Sequence, residues 1–457
     1  MTMIVKIVFG LAGLGVMVFV HELGHFIAAK LMGIEVETFS IGWGKKLFSF
    51  RKKETEYCLS LFPLGGYCKM KGDEAMKDAW ENGSRDISAA KGSFYGASPW
   101  RRIVVAVAGP VMNFVFAICA FSLVWFIGFS YNTFSNRIIL ESDYAPSAAG
   151  RIFPAAQGGL KTGDYITAID SEPVLTYRDL QDAVALKPEK SLKIEYTRDG
   201  IKNTTNVTPL LDKETGAGKI GVYAWVEPLI GAVAKDSAAS IAGLAEGDRI
   251  LSVNGRDLPH TRLFYAILQE SPAQTLSLVC DRNGQTFQTR YVPRVNAEGR
   301  PDIGFSFKSI EYSSRETGVL GSLSEGVSET FETLTLTVKS LGLLFRGIDL
   351  SQAVSGPLRI TYFVGEVAAQ GFSRNFKSGV TSILNFLSLL SVALFFMNLL
   401  PIPALDGGLI LLFLIEGLRG RALAPRFIYR YQFVGIFFIL LLIILSTMSD
   451  VFYFFRK

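Results

Sequence analysis

Cysteine, histidine and charge are all scarce in this chain. Its 457 residues hold four cysteines (Cys58, Cys68, Cys119, Cys280) and no CxxC pair. Neither a disulfide framework nor a cysteine-type metal site is indicated. Charged residues make up 19%, below the roughly 25% of soluble globular domains. The net charge of +5 is too small to point to nucleic acid as the main partner. Histidine occurs three times, as His21, His25 and His260. What is abundant is apolar: 49% hydrophobic residues and a mean hydropathy of +0.31, gathered in long uncharged runs toward both ends.

A helix needs about 20 apolar residues to cross a bilayer, and four runs qualify. They cover about Ile4–Leu31, Ile103–Tyr131, Ile383–Leu405 and Phe433–Met448. The first is not read as a secretory signal peptide, because its apolar pattern continues through a histidine and a glutamate with no small-residue cleavage site. Loop charges orient the set. Residues 30–102 hold 13 Lys+Arg against 9 Asp+Glu, and the last connection carries Arg419, Arg421, Arg426 and Arg430 against Glu416. The middle segment 131–310 is near neutral, with 20 Lys+Arg and 21 Asp+Glu. By the positive-inside rule the first and last connections are cytoplasmic. The middle segment and both termini are then expected on the far side.

That middle segment repeats at a spacing of 84 residues: Gly159-Leu160-Lys161-Thr162-Gly163-Asp164-Tyr165-Ile166 matches Gly243-Leu244-Ala245-Glu246-Gly247-Asp248-Arg249-Ile250. Each unit reads as a helix end, a tight turn and a strand. The pattern resembles PDZ domains of the circularly arranged bacterial kind, at 135–223 and 224–309. Such domains bind an extended peptide or substrate remnant by strand addition; a steric spacer that binds nothing is the alternative.

His21-Glu22-Leu23-Gly24-His25 is an HExxH motif. On a helix, positions i and i+4 share a face, so two imidazoles can reach one zinc ion. The adjacent Glu22 is placed to act as general base on water. Ionisable groups inside a membrane span are costly and signal function. Catalytic zinc takes a third protein ligand. Asp406 is the better candidate, since it closes an uncharged run at the cytoplasmic end, whereas His260 lies in the second repeat. An N-cap role for Asp406 is the plainer alternative. Pro401 and Pro403, with Gly407-Gly408, suggest a broken helix of the kind tolerated where it lines a cavity.

HExxH in a first span, the distant Asn398-Leu399-Leu400-Pro401-Ile402-Pro403-Ala404-Leu405-Asp406-Gly407 and the intervening repeat pair together resemble the site-2 protease family of intramembrane zinc proteases. Within it the chain is similar to the RseP type of Gram-negative bacteria. Phe39-Ser40-Ile41-Gly42-Trp43-Gly44, Pro63-Leu64-Gly65-Gly66-Tyr67-Cys68-Lys69-Met70, Ala108-Gly109-Pro110-Val111-Met112-Asn113 and Ser355-Gly356-Pro357-Leu358 extend the likeness along nearly the whole chain. Cys68 and Trp43 depart from the family's usual valine and phenylalanine.

The resemblance implies Zn2+ held by His21, His25 and Asp406, with Glu22 as catalytic base. It implies substrate binding by Asn398 near Pro401 and Pro403, and a membrane-dipping β-hairpin around Glu56–Met70 whose Gly65, Gly66 and Tyr67 meet the substrate strand. The implied fold is an α-helical polytopic membrane protein with four transmembrane helices and an inserted tandem of α+β PDZ domains. Its layout is 1–131 (two spans, HExxH and β loop), 135–223 and 224–309 (PDZ), 310–382 (amphipathic helical connector, with Gly318–Arg346 as its clearest stretch) and 383–457 (two spans). The implied substrate is a single-span membrane protein such as an anti-sigma factor, already trimmed outside the membrane, or a leftover signal peptide. The implied location is the bacterial inner membrane, with the active site near the cytoplasmic side and the PDZ pair and both termini periplasmic. A PDZ adaptor with a vestigial zinc motif is one rival. A transporter is another, though no repeated set of spans supports it.

Overall fold

The computed structural model describes residues 3–82, 84, 90–144, 152–213, 216–270, 274–295, 301–314, 317–344 and 356–455. The chain divides into two compact units, one of residues 1–129 and 314–457, the other of residues 130–313.

The first unit is helical. Its elements are α1 (Met3–Leu31), the strands β1 (Val36–Lys52) and β2 (Thr55–Met70), α2 (Asp73–Glu81), α3 (Pro99–Ile127), α4 (Val319–Leu344), α5 (Pro357–Arg374), α6 (Phe376–Leu399), α7 (Asp406–Arg419) and α8 (Pro425–Phe455). Four of them, α1, α3, α6 and α8, are long and apolar enough to cross a membrane, and the chain is a multi-pass membrane protein.

Three of the four spans differ in their limits from those expected. The second helix stops at Ile127, because Gly128 turns the backbone at φ 77° and Ser130–Thr133 enters a strand with Ile310–Ser313. The third runs Phe376–Leu399 rather than Ile383–Leu405. Asn375 caps its start by accepting from the Ser378 N–H, and Pro401 and Pro403 cannot donate to a continuing helix. The fourth begins at Pro425, before the charged Arg426 and Arg430 that limit a hydropathy reading.

With no water in a bilayer core, helices associate through close packing, and small residues permit it. Gly10 and Gly365 do this between α1 and α5. A Cβ on Gly10 would lie 2.1 Å from the Thr361 carbonyl, and one on Gly365 would lie 1.9 Å from that of Lys6. Asp450 of α8, fully buried, accepts from the Gly356 and Arg359 backbone N–H groups and from the Arg359 guanidinium at the start of α5.

β1 and β2 form one long antiparallel hairpin, paired from Val36–Met70 to Lys52–Thr55. The chain reverses at Lys53-Glu54, with Lys53 at φ 55°. The expected hairpin over Glu56–Met70 is corrected in its pairing: Glu56–Leu59 and Gly66–Lys69 lie on opposite sides of Thr38–Ile41 and do not pair with each other. The hairpin curls until Phe39 is paired with Cys68 on one side and Tyr57 on the other. Its outer half exposes Trp43, Leu47, Phe48, Phe50, Leu59 and Leu61.

The second unit shows the repeat in three dimensions. Strands Glu172–Pro173, Tyr165–Ile169, Leu192–Arg198 and Ile201–Val207 lie in that order in one sheet, and Arg256–Asp257, Arg249–Val253, Leu276–Arg282 and Gln285–Tyr291 in another. Every strand is shifted by 84 positions. Each repeat buries its own core, with Ile166, Leu192 and Ile194 in one and Ile250, Leu276 and Leu278 in the other. The equivalence reaches single bonds. Arg198 donates to Asp164 and to the Gly159 carbonyl, just as Arg282 donates to Asp248 and to the Gly243 carbonyl.

Candidate metal centre

The i, i+4 spacing on α1 brings the His21 and His25 rings to 4.8 Å between centroids. α3 crosses α1 here at close range. A Cβ on Gly24 would lie 2.3 Å from the Ala108 carbonyl, and one on Gly109 would lie 2.3 Å from His25 Nε2 and 2.9 Å from His21 Cε1. A larger residue at either point would drive the helices apart or push the imidazoles out.

The third group arrives from the C-terminal half of the chain. α6 ends at Leu399, and Leu400–Leu405 cannot continue it because Pro401 and Pro403 lack N–H groups and Ala404 sits at φ 70°. Leu405 then caps α7 in an extended conformation, which makes Asp406 the first helical residue rather than the N-cap itself. An acid in the first turn suits the helix dipole.

His21 Nε2 lies 3.2 Å from Asp406 Oδ2, and His25 Nε2 lies 3.5 Å from Asp406 Oδ1. The two Nε2 atoms are 3.2 Å apart. Three electron-rich donors so close together repel one another unless a positive centre lies among them. A tetrahedral zinc ion with bonds of ~2.0–2.1 Å holds its donors about 3.3 Å apart, so these residues fit that ion. Among the described residues no other group of three His, Cys, Asp or Glu side chains converges in this way. The three side chains are largely shielded, at 11–16% exposure. His260 lies in the other unit, against Tyr144 and Trp225.

Glu22, half-buried beside His21, faces β2. A Cβ on Gly66 would lie 3.3 Å from Glu22 Cγ. Trp43 holds this part of the strand in place, donating from Nε1 to the Gly66 carbonyl at 3.1 Å. Its indole leaves no room for a side chain at Gly65, which adopts φ 136°, and stands edge-on to the Tyr67 ring. Tyr67 pairs with Ser40 in the ladder. Asn398 is half-buried in the last turn of α6, Pro401 is exposed and Pro403 half-buried.

The sequence reading assigned no role to α3. Val105, Gly109 and Asn113, each four residues from the next, form one stripe against both histidines. The Val105 carbonyl lies 2.8 Å from His25 Nδ1, and the Asn113 carboxamide lies 3.2 Å from His21 Nδ1. The signal was present, since a lone asparagine in an uncharged span asks for a partner.

The profile of peptidase family M50 matches residues 9–442. A Treponema pallidum protein named "Putative zinc metalloprotease" is 39% identical over 448 residues, covering 98% of this chain and 99% of the relative. The regulator of sigma-E protease RseP of Escherichia coli is 32% identical over 461 residues, covering 96% and 97%. A Borreliella burgdorferi protein with the same name as the first is 29% identical over 452 residues, covering 97% and 98%.

Proposed function

This chain belongs to peptidase family M50 and is a metalloprotease; on that premise we propose that it hydrolyses peptide bonds within the transmembrane segments of single-span membrane proteins. In this reading His21, His25 and Asp406 hold Zn2+, Glu22 is the catalytic base and the bilayer surrounds the centre. When bound, zinc supplies Lewis-acid polarisation of the scissile carbonyl and acidification of water. Glu22 accepts a proton from the water whose oxygen adds to the carbonyl carbon. It returns that proton to the amide nitrogen as the C–N bond breaks.

A transmembrane helix hides its peptide bonds in its own ladder, so it must unwind before it can be cut. The observation that carries the proposal is the course of β2 past Glu22. Among the described pairings Gly66–Met70 pair only with β1, and Gly66 brings this strand against Glu22. An unwound substrate strand added to this edge lies beside the base, with Gly66 giving the backbone clearance. Asn398, near the break at Pro401 and Pro403, binds the substrate backbone from the other side. The exposed apolar half of the hairpin suits immersion in lipid.

The 130–313 unit is a tandem of PDZ domains that admits substrates with a small external remnant. Loop charges put that unit and both termini in the periplasm of an inner-membrane protein, with the centre toward the cytoplasm. The substrates are an anti-sigma factor type of protein and leftover signal peptides.

The deciding experiment is cleavage, in membranes, of a tagged single-span substrate shortened outside, by the parent chain and by Glu22→Gln. Cleavage by the parent alone supports the reading. Equal cleavage by both removes Glu22 as base, and cleavage by neither favours an adaptor.

A further inference from the structure

Two imidazoles that face a common centre through Nε2 must each keep their proton on Nδ1, and each needs an acceptor for it. His25 has one. A backbone carbonyl can only accept, and that of Val105 lies 2.8 Å from His25 Nδ1. His21 faces a side chain instead, the carboxamide of Asn113, whose Nδ2 lies 3.2 Å from His21 Nδ1. Asn113 is fully buried, and its Oδ1 has no hydrogen-bond partner among the described residues.

We propose that Asn113 is a positioning residue for His21: its carboxamide oxygen accepts the Nδ1–H of His21 and fixes the tautomer whose Nε2 lone pair is turned to His25 and Asp406. A half-turn of the amide exchanges Nδ2 and Oδ1 and moves nothing else. Either orientation leaves one amide group unpaired, so hydrogen-bond satisfaction does not choose between them. His21 does. With Nδ2 toward the ring, the amide donates to a bare Nδ1 and the ring proton sits on Nε2, within 3.2 Å of both His25 Nε2 and Asp406 Oδ2. That proton would occupy the space where the donors converge. With Oδ1 toward the ring, the stripe Val105–Gly109–Asn113 treats the two histidines alike, one held by a backbone carbonyl, the other by an amide carbonyl, with Gly109 making room between them.

The inference rests on reading His21, His25 and Asp406 as metal ligands, and its test separates the two. Zinc affinity of the purified full-length chain is measured by chelator competition for the parent, Asn113→Leu and Asn113→Asp. Loss of an outer-shell partner costs about 10–100-fold in metal affinity, so the leucine variant should bind zinc that much more weakly. The aspartate variant, which keeps an acceptor, should stay within about threefold of the parent. Parent-like binding by Asn113→Leu overturns the role of Asn113. A parent that binds no stoichiometric zinc overturns the ligand reading instead.

Should Asn113→Leu fail to fold, the parent alone decides. The chain has only three histidines, so 15N-histidine labelling gives three imidazoles, of which His260→Gln identifies one. In the zinc-loaded protein the His21 Nδ1–H, held by a buried acceptor, should exchange slowly with solvent and be detected next to its ring nitrogen. A rapidly exchanging His21 Nδ1–H overturns the proposal.

Discussion

Arg102 of α3 and Glu416 of α7 form a buried two-point ion pair, with Nη1 3.3 Å from Oε2 and Nη2 2.5 Å from Oε1. Arg102 Nε also donates to the Ala97 carbonyl, and the guanidinium lies over the Phe413 ring at 4.6 Å. α7 begins with Asp406 and α3 carries Asn113, so this pair joins the two helices that bring the third donor and the stripe behind the histidines to one place.

Removing one partner of such a pair leaves an uncompensated buried charge and costs about 3–5 kcal/mol. Arg102→Ala should therefore lower the thermal midpoint in detergent and weaken zinc retention together. An apolar exchange of both, Arg102→Met with Glu416→Leu, should recover most of the midpoint. A single variant as stable as the parent would show that the pair contributes little.

Gly109→Ala is expected to abolish zinc retention and activity, because its methyl would lie 2.3 Å from His25 Nε2. Gly342→Ala is the control. Among the described residues, a Cβ there meets nothing within 4 Å beyond its own helix, and alanine is favoured over glycine in a helix interior by about 0.5–1 kcal/mol. Metal content and activity should be unchanged there. Equal metal content in both variants would mean that α1 and α3 can separate without harm.

Much of this was legible, and the gaps have physical causes. Apolar run length located the end of the first span at Leu31, where the helix stops. It overran at Tyr131, where aromatic and apolar residues pass into a strand with Ile310–Ser313, and hydropathy does not distinguish the two states. The HExxH letters imply shared helix geometry, and the structure shows the donors together with Asp406. Val105, Asn113 and the Arg102–Glu416 pair could not be read in the same way, because their meaning depends on which helices cross. In the repeat, the match at Asp164 and Asp248 was evident, whereas Arg198 and Arg282 lie outside the conspicuous motif and were passed over.

His260 makes the 130–313 unit sensitive to acid. Burial holds its pKa below the usual histidine range, helped by the Arg137 charge, although its own backbone, Asp143 and Glu227 act the other way. It bonds through Nε2 to the Tyr144 hydroxyl at 3.0 Å, joining the second repeat to the first. The folded chain thus resists a proton that the unfolded chain accepts below pH ~6.5. Stability contributed here is complete above that pH and is lost as pH falls toward the depressed folded value. Hydrogen exchange within residues 130–313 of the full-length protein should quicken between pH 7.5 and 5.5, and His260→Gln should flatten that dependence. An identical slope in both proteins would place the acid sensitivity elsewhere.

Proline separates the two edges of β2, because it removes one N–H and the strand uses its N–H groups alternately. The Met70 N–H leaves the ladder for Asp73 Oδ2 at 2.8 Å, and the strand's alternation puts the Cys68 N–H on the same edge. The N–H groups of Tyr67 and Lys69 accordingly face the β1 partners Ser40 and Thr38. Proline is tolerated where the N–H lies on a free edge and not where a ladder bond is lost. Cys68→Pro should leave the protein folded and zinc-loaded yet cut substrate at least about tenfold more slowly, since it removes an outward donor on the edge beside Glu22. Tyr67→Pro should lower stability and expression first. Quantitative cleavage normalised to folded, zinc-loaded protein distinguishes them. Full activity for Cys68→Pro would mean that substrate does not pair with this edge, and the course of β2 past Glu22 would then need another purpose.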